Sequence, residues 1–328
     1  MRVHRLAALL AALPAAAAFL HPYSAVRRAT ALSARAPAAS TFAWHGHSIA
    51  YRTSGPADGR PVLLIHGFGA SSRHWRNQYG ALASAGCRVV APDLLGFGAS
   101  DKPSVTYSLH LWKGLLLDLM AAEAPGRTDW AVGGNSIGGL LSLMVAADSD
   151  KGASVSKVVL FNAAGGLTSF RDEELPALAK PLWWFLRNVV FGDVFGPALF
   201  GKVANAETVA GILSNVYVNQ TAVDDDLVDL CLAPSTDANA CDVFLRILRA
   251  DAGPTPESLL PDIAAPILAI WGESDQITPL AAGNHPGSGF GAVAGPGGFE
   301  LAVVDAGHCP HDDAVEESNR LMLRFLRE

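Results

Sequence analysis

Three side chains follow one another along the chain in an order that could do chemistry: the serine of Gly134-Asn-Ser136-Ile-Gly138, the carboxylate of Gly272-Glu-Ser-Asp275 and the histidine of Ala306-Gly-His308. Together they supply an attacking oxygen, an anion to orient a base, and the base itself. The G-x-S-x-G pattern also arises by chance, so its setting carries the argument. An apolar run precedes it and a small-residue stretch from Leu140 to Ala147 follows. A tight strand-to-helix turn of that kind leaves a serine hydroxyl exposed at a helix N-terminus, and it needs glycines because bulk would clash there.

Acyl transfer through such a serine also needs two backbone N–H groups aimed at a developing oxyanion. The Ile137 amide follows the nucleophile and is one candidate. The Phe68 amide, in His66-Gly-Phe-Gly69, is the other. His66 is read as a fastening residue of that loop, since the base is expected last in the chain. Glu273 competes with Asp275 for the orienting role but stands too close to the end of its apolar run. His311 competes with His308; it opens the C-terminal helix and is read as a helix cap or a surface residue. His308, His311, Asp312 and Asp313 also invite a metal site. With no second cluster to complete the ligand set, neither a metal nor any other cofactor is expected.

The elements that must position these groups are legible as continuous apolar runs, the kind buried on both faces of a parallel sheet. They are Val62–Ile65, Val89–Ala91, Trp130–Gly133, Val158–Phe161, Ile267–Trp271 and Leu301–Val304. A weaker pair, Phe42–Trp44 and Ser48–Arg52, predicts an antiparallel hairpin at one edge. Helical segments between the runs imply crossovers and a mostly parallel sheet covered on both sides, an α/β architecture. Between Ala164 and Pro261 the alternation stops. The expected organisation is therefore a core of 41–163 and 262–328, with 164–261 inserted as a helical cap. Most of the cap's aromatic and aliphatic residues are expected to pack it onto the core. A minority, with Trp183, Trp184 and Phe185 as the candidates, is expected to line an apolar channel or face a membrane.

Half of the 328 residues are apolar and only 17% are charged, enough to bury one large core or two modest ones. Residues 1–40 carry five arginines and no acid, leaving 19 basic against 31 acidic side chains and a formal charge of −12 on the remainder. Such a body lacks the basic footprint of a nucleic-acid binder. Arg2 and Arg5 ahead of the apolar Leu6–Leu20 read as a signal peptide, and the acid-free His21–Ser40 reads as a transit peptide. The pair resembles the two-part presequence of algae with secondarily acquired plastids, so a plastid location is expected. A plain secretory signal and linker is the alternative. Cys87, Cys231, Cys241 and Cys309 lack zinc-site spacing and suggest a reduced compartment, although Cys231 and Cys241 could pair.

The stretches His66-Gly-Phe-Gly-Ala-Ser, Asp93-Leu-Leu-Gly-Phe-Gly-Ala-Ser-Asp-Lys-Pro103, Gly134–Gly138, Leu160-Phe-Asn-Ala-Ala-Gly-Gly166, Trp271–Asp275 and Gly307-His-Cys-Pro-His-Asp-Asp313 resemble the plastid branch of the α/β-hydrolase family that includes chlorophyll dephytylase, with pheophytinase more distant. In the cap, Asn215-Val-Tyr-Val-Asn219 and Val223-Asp-Asp resemble the same type. His311 departs from it, standing where that pattern carries glutamine, which supports His308 as the base. The resemblance covers nearly everything from Phe42 onward. It implies the α/β-hydrolase fold, catalysis by Ser136, Asp275 and His308, and hydrolysis of the phytyl ester of chlorophyll or pheophytin, with peripheral thylakoid contact. Two other hydrolytic readings are a general lipid or small-ester esterase and a serine-dependent carbon–carbon hydrolase of ring-cleavage products. The latter would want arginines facing its pocket. A haloalkane dehalogenase or epoxide hydrolase would carry Asp where Ser136 stands. A non-catalytic scaffold on this fold would be expected to have lost one of the three residues.

Overall fold

The runs that read as strands in the sequence assemble into one sheet. A computed structural model describes residues 36–148, 155–167, 180–280 and 290–328. The presequence expected over 1–40 lies outside them except for its last five residues. The eight strands are β1 (Ala39–Trp44), β2 (His47–Ser54), β3 (Arg60–Ile65), β4 (Cys87–Pro92), β5 (Trp130–Asn135), β6 (Val155–Phe161), β7 (Ile267–Gly272) and β8 (Phe299–Val304). Their order is β1-β2-β4-β3-β5-β6-β7-β8. β1 pairs antiparallel with β2, as does β2 with β4, and every other pairing is parallel. The weak edge pair of the sequence is the β1–β2 hairpin.

Side-chain alternation divides the core between the two faces of the sheet. Leu63, Ile65, Val132, Ala269 and Trp271 pack under the helices Leu109–Glu123 and Ile137–Ala147. Val62, Leu64, Ala131, Leu268 and Ile270 pack under Tyr79–Ser84 and the C-terminal helix Val315–Arg327. Because helices cover both faces, these strands carry no polar side and appear in the sequence as unbroken apolar runs.

From β3 the chain crosses to β4 on one side, then returns over β3 to β5 on the other. Such a reversal opens a crevice beyond the carboxyl ends of the strands, where ligands bind in open α/β sheets. Ile65 lies beside Gly134, Asn135 beside Phe161, and Gly272 beside Val304. The loops after β3, β5, β7 and β8 therefore emerge at one edge of the sheet. Between β6 and β7, the described residues from Lys180 to Asp262 are helical or irregular, and Leu213, Tyr217, Val223 and Leu227 form a small core there with Cys309.

Candidate active site

Ser136 stands between β5 and the helix Ile137–Ala147 with φ 56° and ψ −119°, a backbone conformation that few non-glycine residues adopt. Packing enforces it. A Cβ on Gly138 would lie 2.1 Å from the Ile65 carbonyl oxygen, and one on Gly134 would lie 2.2 Å from the Gly138 carbonyl. The Ser136 amide donates to the Phe161 carbonyl at 3.0 Å, and its own carbonyl accepts from Ala164 at 2.9 Å. Between Ala131 and Ala146 every residue is buried except Ser136. Strain of this kind, roughly 1–3 kcal/mol, persists only where the surroundings over-determine it, and here it presents one hydroxyl at the mouth of the crevice.

The loop after β3 faces the serine. Buried His66 accepts at Nε2 from the Leu94 amide at 3.0 Å, so its proton is on Nδ1, which donates to the Gly67 carbonyl at 2.7 Å. Burial lowers the pKa of this ring and keeps it neutral, a fastener of the loop. The Phe68 and Ile137 amides have no acceptor within the protein among the described residues. They remain free to donate to a bound oxygen.

Asp275 and His308, 33 residues apart in sequence, meet through their side chains. His308 Nδ1 is 2.9 Å from Asp275 Oδ2. The same carboxylate oxygen accepts from the Asn162 side-chain amide and the Thr278 hydroxyl, while Oδ1 accepts from the Ile277 and Thr278 amides at 2.8 and 3.1 Å. Burial pushes the Asp275 carboxyl up, but the hydrogen bonds and charge of His308, Thr278 and Asn162 outweigh it and hold it well below the usual carboxylate range. An anion so placed fixes the imidazole as the Nδ1–H tautomer and leaves Nε2 as the basic nitrogen. Glu273 is exposed and takes no part. Neither Asn162 nor Thr278 stands out in the sequence. Asn162 has φ 45°, in the left-handed region that asparagine tolerates, and its side-chain oxygen accepts from the Gly272 amide at 3.0 Å. It holds the end of β7 and the carboxylate together.

Ser136 and His308 line one cavity of about 400 Å³, roofed by helices between β6 and β7. An aromatic row runs across it from core to roof: Phe97 to Phe68 at 5.7 Å between ring centres, Phe68 to Phe244 at 6.0 Å, Phe244 to Phe200 at 5.4 Å. Ile212, Leu213 and Ile247 extend the apolar wall. Lys102 also borders it, but its Nζ is 2.6 Å from an Asp237 carboxylate oxygen and donates to the Gly98 and Ser100 carbonyls. No arginine contributes to the wall among the described residues. The expected channel residues Trp183, Trp184 and Phe185 do not line this cavity. They lie on the short helix Lys180–Phe185, where Trp184 is 63% exposed and Phe185 48%. The apolar wall comes instead from the later helices Gly196–Val203, Ala206–Val216, Asp225–Leu232 and Ala240–Leu248.

With this geometry, the sequence pattern described as the alpha/beta hydrolase family matches residues 62–321, from β3 into the C-terminal helix. The chain belongs to the alpha/beta hydrolase family. An uncharacterized protein of Mycobacterium tuberculosis is 30% identical over 283 residues, covering 82% of this chain and 75% of its own. Lipase 1 of Psychrobacter immobilis is 24% identical, covering 83% of this chain and 78% of the lipase. Among solved structures, a meta-cleavage product hydrolase from Pseudomonas fluorescens superposes with a TM-score of 0.66 at 24% identity, covering 88% of this chain and 97% of that one.

In this hydrolase, the segment after His308 departs from the sequence expectation. His311 is neither a cap nor a surface residue: it is 0% exposed and packed against Trp75, with ring centres 4.4 Å apart, and against His74 at 4.5 Å. Neither ring nitrogen has a hydrogen-bond partner among the described residues. Asp312 pairs with Arg76 at 2.9 Å, Asp313 accepts from backbone amides, and His308 is engaged by Asp275. Of the four groups that suggested a metal site, three are thus engaged by separate partners, and His311 is packed among aromatic rings. In the roof, Asp225 and Asp226 are exposed, whereas Asp224 caps its helix by accepting from the Leu227 amide and pairs with Arg76 at 2.8 Å. All four cysteines are free thiols, so Cys231 and Cys241 do not pair.

Burial holds His311 well below the ordinary histidine range and His74 down to about 4. Both rings are neutral in the folded protein, whereas in the unfolded chain they protonate near pH 6.5. The unfolded state therefore binds more protons between about pH 6.5 and 4, and stability should be lost as pH falls through that window. At about 1.4 kcal/mol per pH unit, His74 alone accounts for roughly 3 kcal/mol. Guanidinium unfolding at pH 7 and pH 5 checks this: His311→Leu should lose less stability between the two than the parent protein.

Proposed function

We propose that this protein is a carboxylic ester hydrolase that takes esters with a long apolar chain. The observation that carries the proposal is the Asp275–His308 pair opening onto the same apolar cavity as the strained Ser136. Ser136 Oγ attacks the ester carbonyl carbon while His308 Nε2 takes its proton. The oxyanion accepts from the Phe68 and Ile137 amides. Collapse expels the alcohol, which leaves with the proton returned by His308. Water, deprotonated by the same nitrogen, then attacks the acyl-serine and releases the acid.

The cavity wall supports the apolar-chain reading. At roughly 30 Å³ per water-sized group, about 400 Å³ accommodates on the order of a dozen methylenes. A phytyl chain would fill it and protrude, leaving a flat tetrapyrrole outside the mouth. That reading of chlorophyll or pheophytin as substrate rests on the dephytylase-like motifs, and a plastid address would accord with it. The wall does not favour carbon–carbon cleavage of acidic ring-cleavage products, because Lys102, the cation that borders it, is paired with Asp237.

A series of p-nitrophenyl esters of increasing acyl length tests the proposal. Each added methylene is worth about 0.8 kcal/mol of burial, so kcat/KM should rise by up to about fourfold per carbon and level off near a dozen carbons. Phe244→Asp should depress the long esters far more than the acetate. A flat dependence on length would remove the apolar-chain reading. Release of phytol from chlorophyll or pheophytin by residues 41–328 tests the narrower one.

A further inference from the structure

His308 is held by its backbone as well as by its ring, and half of the hold comes from outside the sheet. Its amide donates to the Val216 carbonyl at 2.9 Å, at the last turn of the helix Ala206–Val216. Its carbonyl accepts from the Asn135 side-chain amide at 2.9 Å, next to the nucleophile. The residue before it, Gly307, meets the same strip so closely that a Cβ would lie 1.9 Å from the Val216 oxygen. Buried Asp313 completes the contact. One carboxylate oxygen accepts from the Gly307 amide at 2.6 Å and the Val218 amide at 2.9 Å, and the other accepts from the Asn219 amide at 2.7 Å.

We infer that Asp313 is a positioning residue, which clamps the histidine loop to the Val216–Asn219 strip of the cavity roof and so sets where His308 Nε2 stands relative to Ser136. The inference rests on the reading of Ser136 and His308 as nucleophile and base. Each of the three amides comes from irregular backbone with no ladder partner, and a single carboxylate satisfies all three with charge-assisted bonds. The roof thereby becomes part of the machinery: moving Val216 moves the backbone of the base. A displacement of about 1 Å at a reacting group can cost on the order of a hundredfold in rate, so a loosened clamp should be felt in chemistry before it is felt in binding.

Asp313→Asn keeps the shape but replaces one accepting oxygen by an NH₂ group that faces N–H donors. It should slow phosphonylation of Ser136 by a fluorophosphonate, and lower kcat on p-nitrophenyl acetate, by roughly ten- to a hundredfold, with KM nearly unchanged. Val218→Pro removes one donor from the roof side. Tyr217 already has ψ 139°, which suits a residue before proline, and the Val218 side chain is 43% exposed. Its losses should have the same sign and be smaller. Asn205→Ala removes the N-cap of the same roof helix, whose side chain accepts from the Thr208 amide, without touching the clamp. It should lower Tm by roughly 2–4 °C and leave the labelling rate alone. Parental labelling in Asp313→Asn, or an equal loss in Asn205→Ala, would overturn the inference, the latter by showing that the contact only stabilises the roof. Amide hydrogen exchange separates this failure from that of the functional reading. If parental Ser136 is not labelled at all, the nucleophile assignment fails, and the clamp then stands or falls on whether the His308 amide exchanges faster in Asp313→Asn.

Discussion

Ser136→Ala should abolish ester hydrolysis, lowering kcat by roughly 10⁴- to 10⁶-fold, with an unchanged circular dichroism spectrum and thermal transition. The size follows from the way such groups act as a unit: without the attacking oxygen the base and the oxyanion donors have nothing to assist. The unchanged fold follows from the backbone. Alanine keeps the Cβ that serine already carries at φ 56°, so no strain is added and the backbone bonds to the Phe161 carbonyl and from the Ala164 amide survive. His308→Ala should cost a similar factor, although it also empties a site beside Asp275. Steady-state rates on p-nitrophenyl butyrate check both variants. Activity within tenfold of the parent in Ser136→Ala would remove the serine from the mechanism.

Asp275→Asn is expected to lower kcat by about 10⁴-fold with little change in KM. Four donors other than His308 converge on that carboxylate, from Asn162, Ile277 and Thr278, the last giving both its amide and its hydroxyl. An amide in its place can turn only one oxygen to them. Its NH₂ group would then either oppose a neighbouring donor or donate to His308 Nδ1, which puts the imidazole proton on Nε2, the wrong nitrogen. The cavity is untouched, so substrate binding should persist. Glu273→Gln changes an exposed side chain that takes no part in these bonds, and it should keep the parental kcat. A loss in Glu273→Gln with a silent Asp275→Asn would exchange the two assignments.

The inner strands β3 to β7 were legible because they are buried on both faces and lack polar interruption, as Val62–Ile65 and Ile267–Trp271 illustrate, whereas the edge strand β8 leaves Leu301 and Val303 exposed. The meeting of Asp275 with His308 was legible for a related reason: both follow strand ends, and neighbouring parallel strands bring their ends together. What escaped depends on contacts remote in sequence. Pro310-His-Asp-Asp reads as the polar start of an exposed helix, and it is buried by contacts from far away in the sequence, among them His74, Trp75 and Arg76, more than two hundred residues earlier. The roof escaped for a different reason. Trp183, Trp184 and Phe185 are the greasiest residues there, but hydrophobicity alone does not say which way a helix faces. The better signal lay in the apolar spacing of Val243, Phe244 and Ile247, which turns one face of Ala240–Leu248 to the cavity. Asn162 lies in one of the stretches that carry the family resemblance, but only its position just past a strand end bore on a role, and that is too common a place for asparagine to single it out.

The strip Val216–Asn219 has a consequence for how such a molecule can diverge. β6 and β7 lie side by side, so the segment joining them can lengthen, shorten or be exchanged without disturbing the sheet order. Helices that shape the cavity are thus free to drift, and specificity with them. The stretch that touches Gly307, His308 and Asp313 is not free, because it must still offer a carbonyl to one amide and two N–H groups to a carboxylate. On the clamp inferred above, a transplanted roof that ignored those contacts should give a folded protein whose serine reacts more slowly. Modularity here ends at the strip itself, and any graft should be cut so as to keep it.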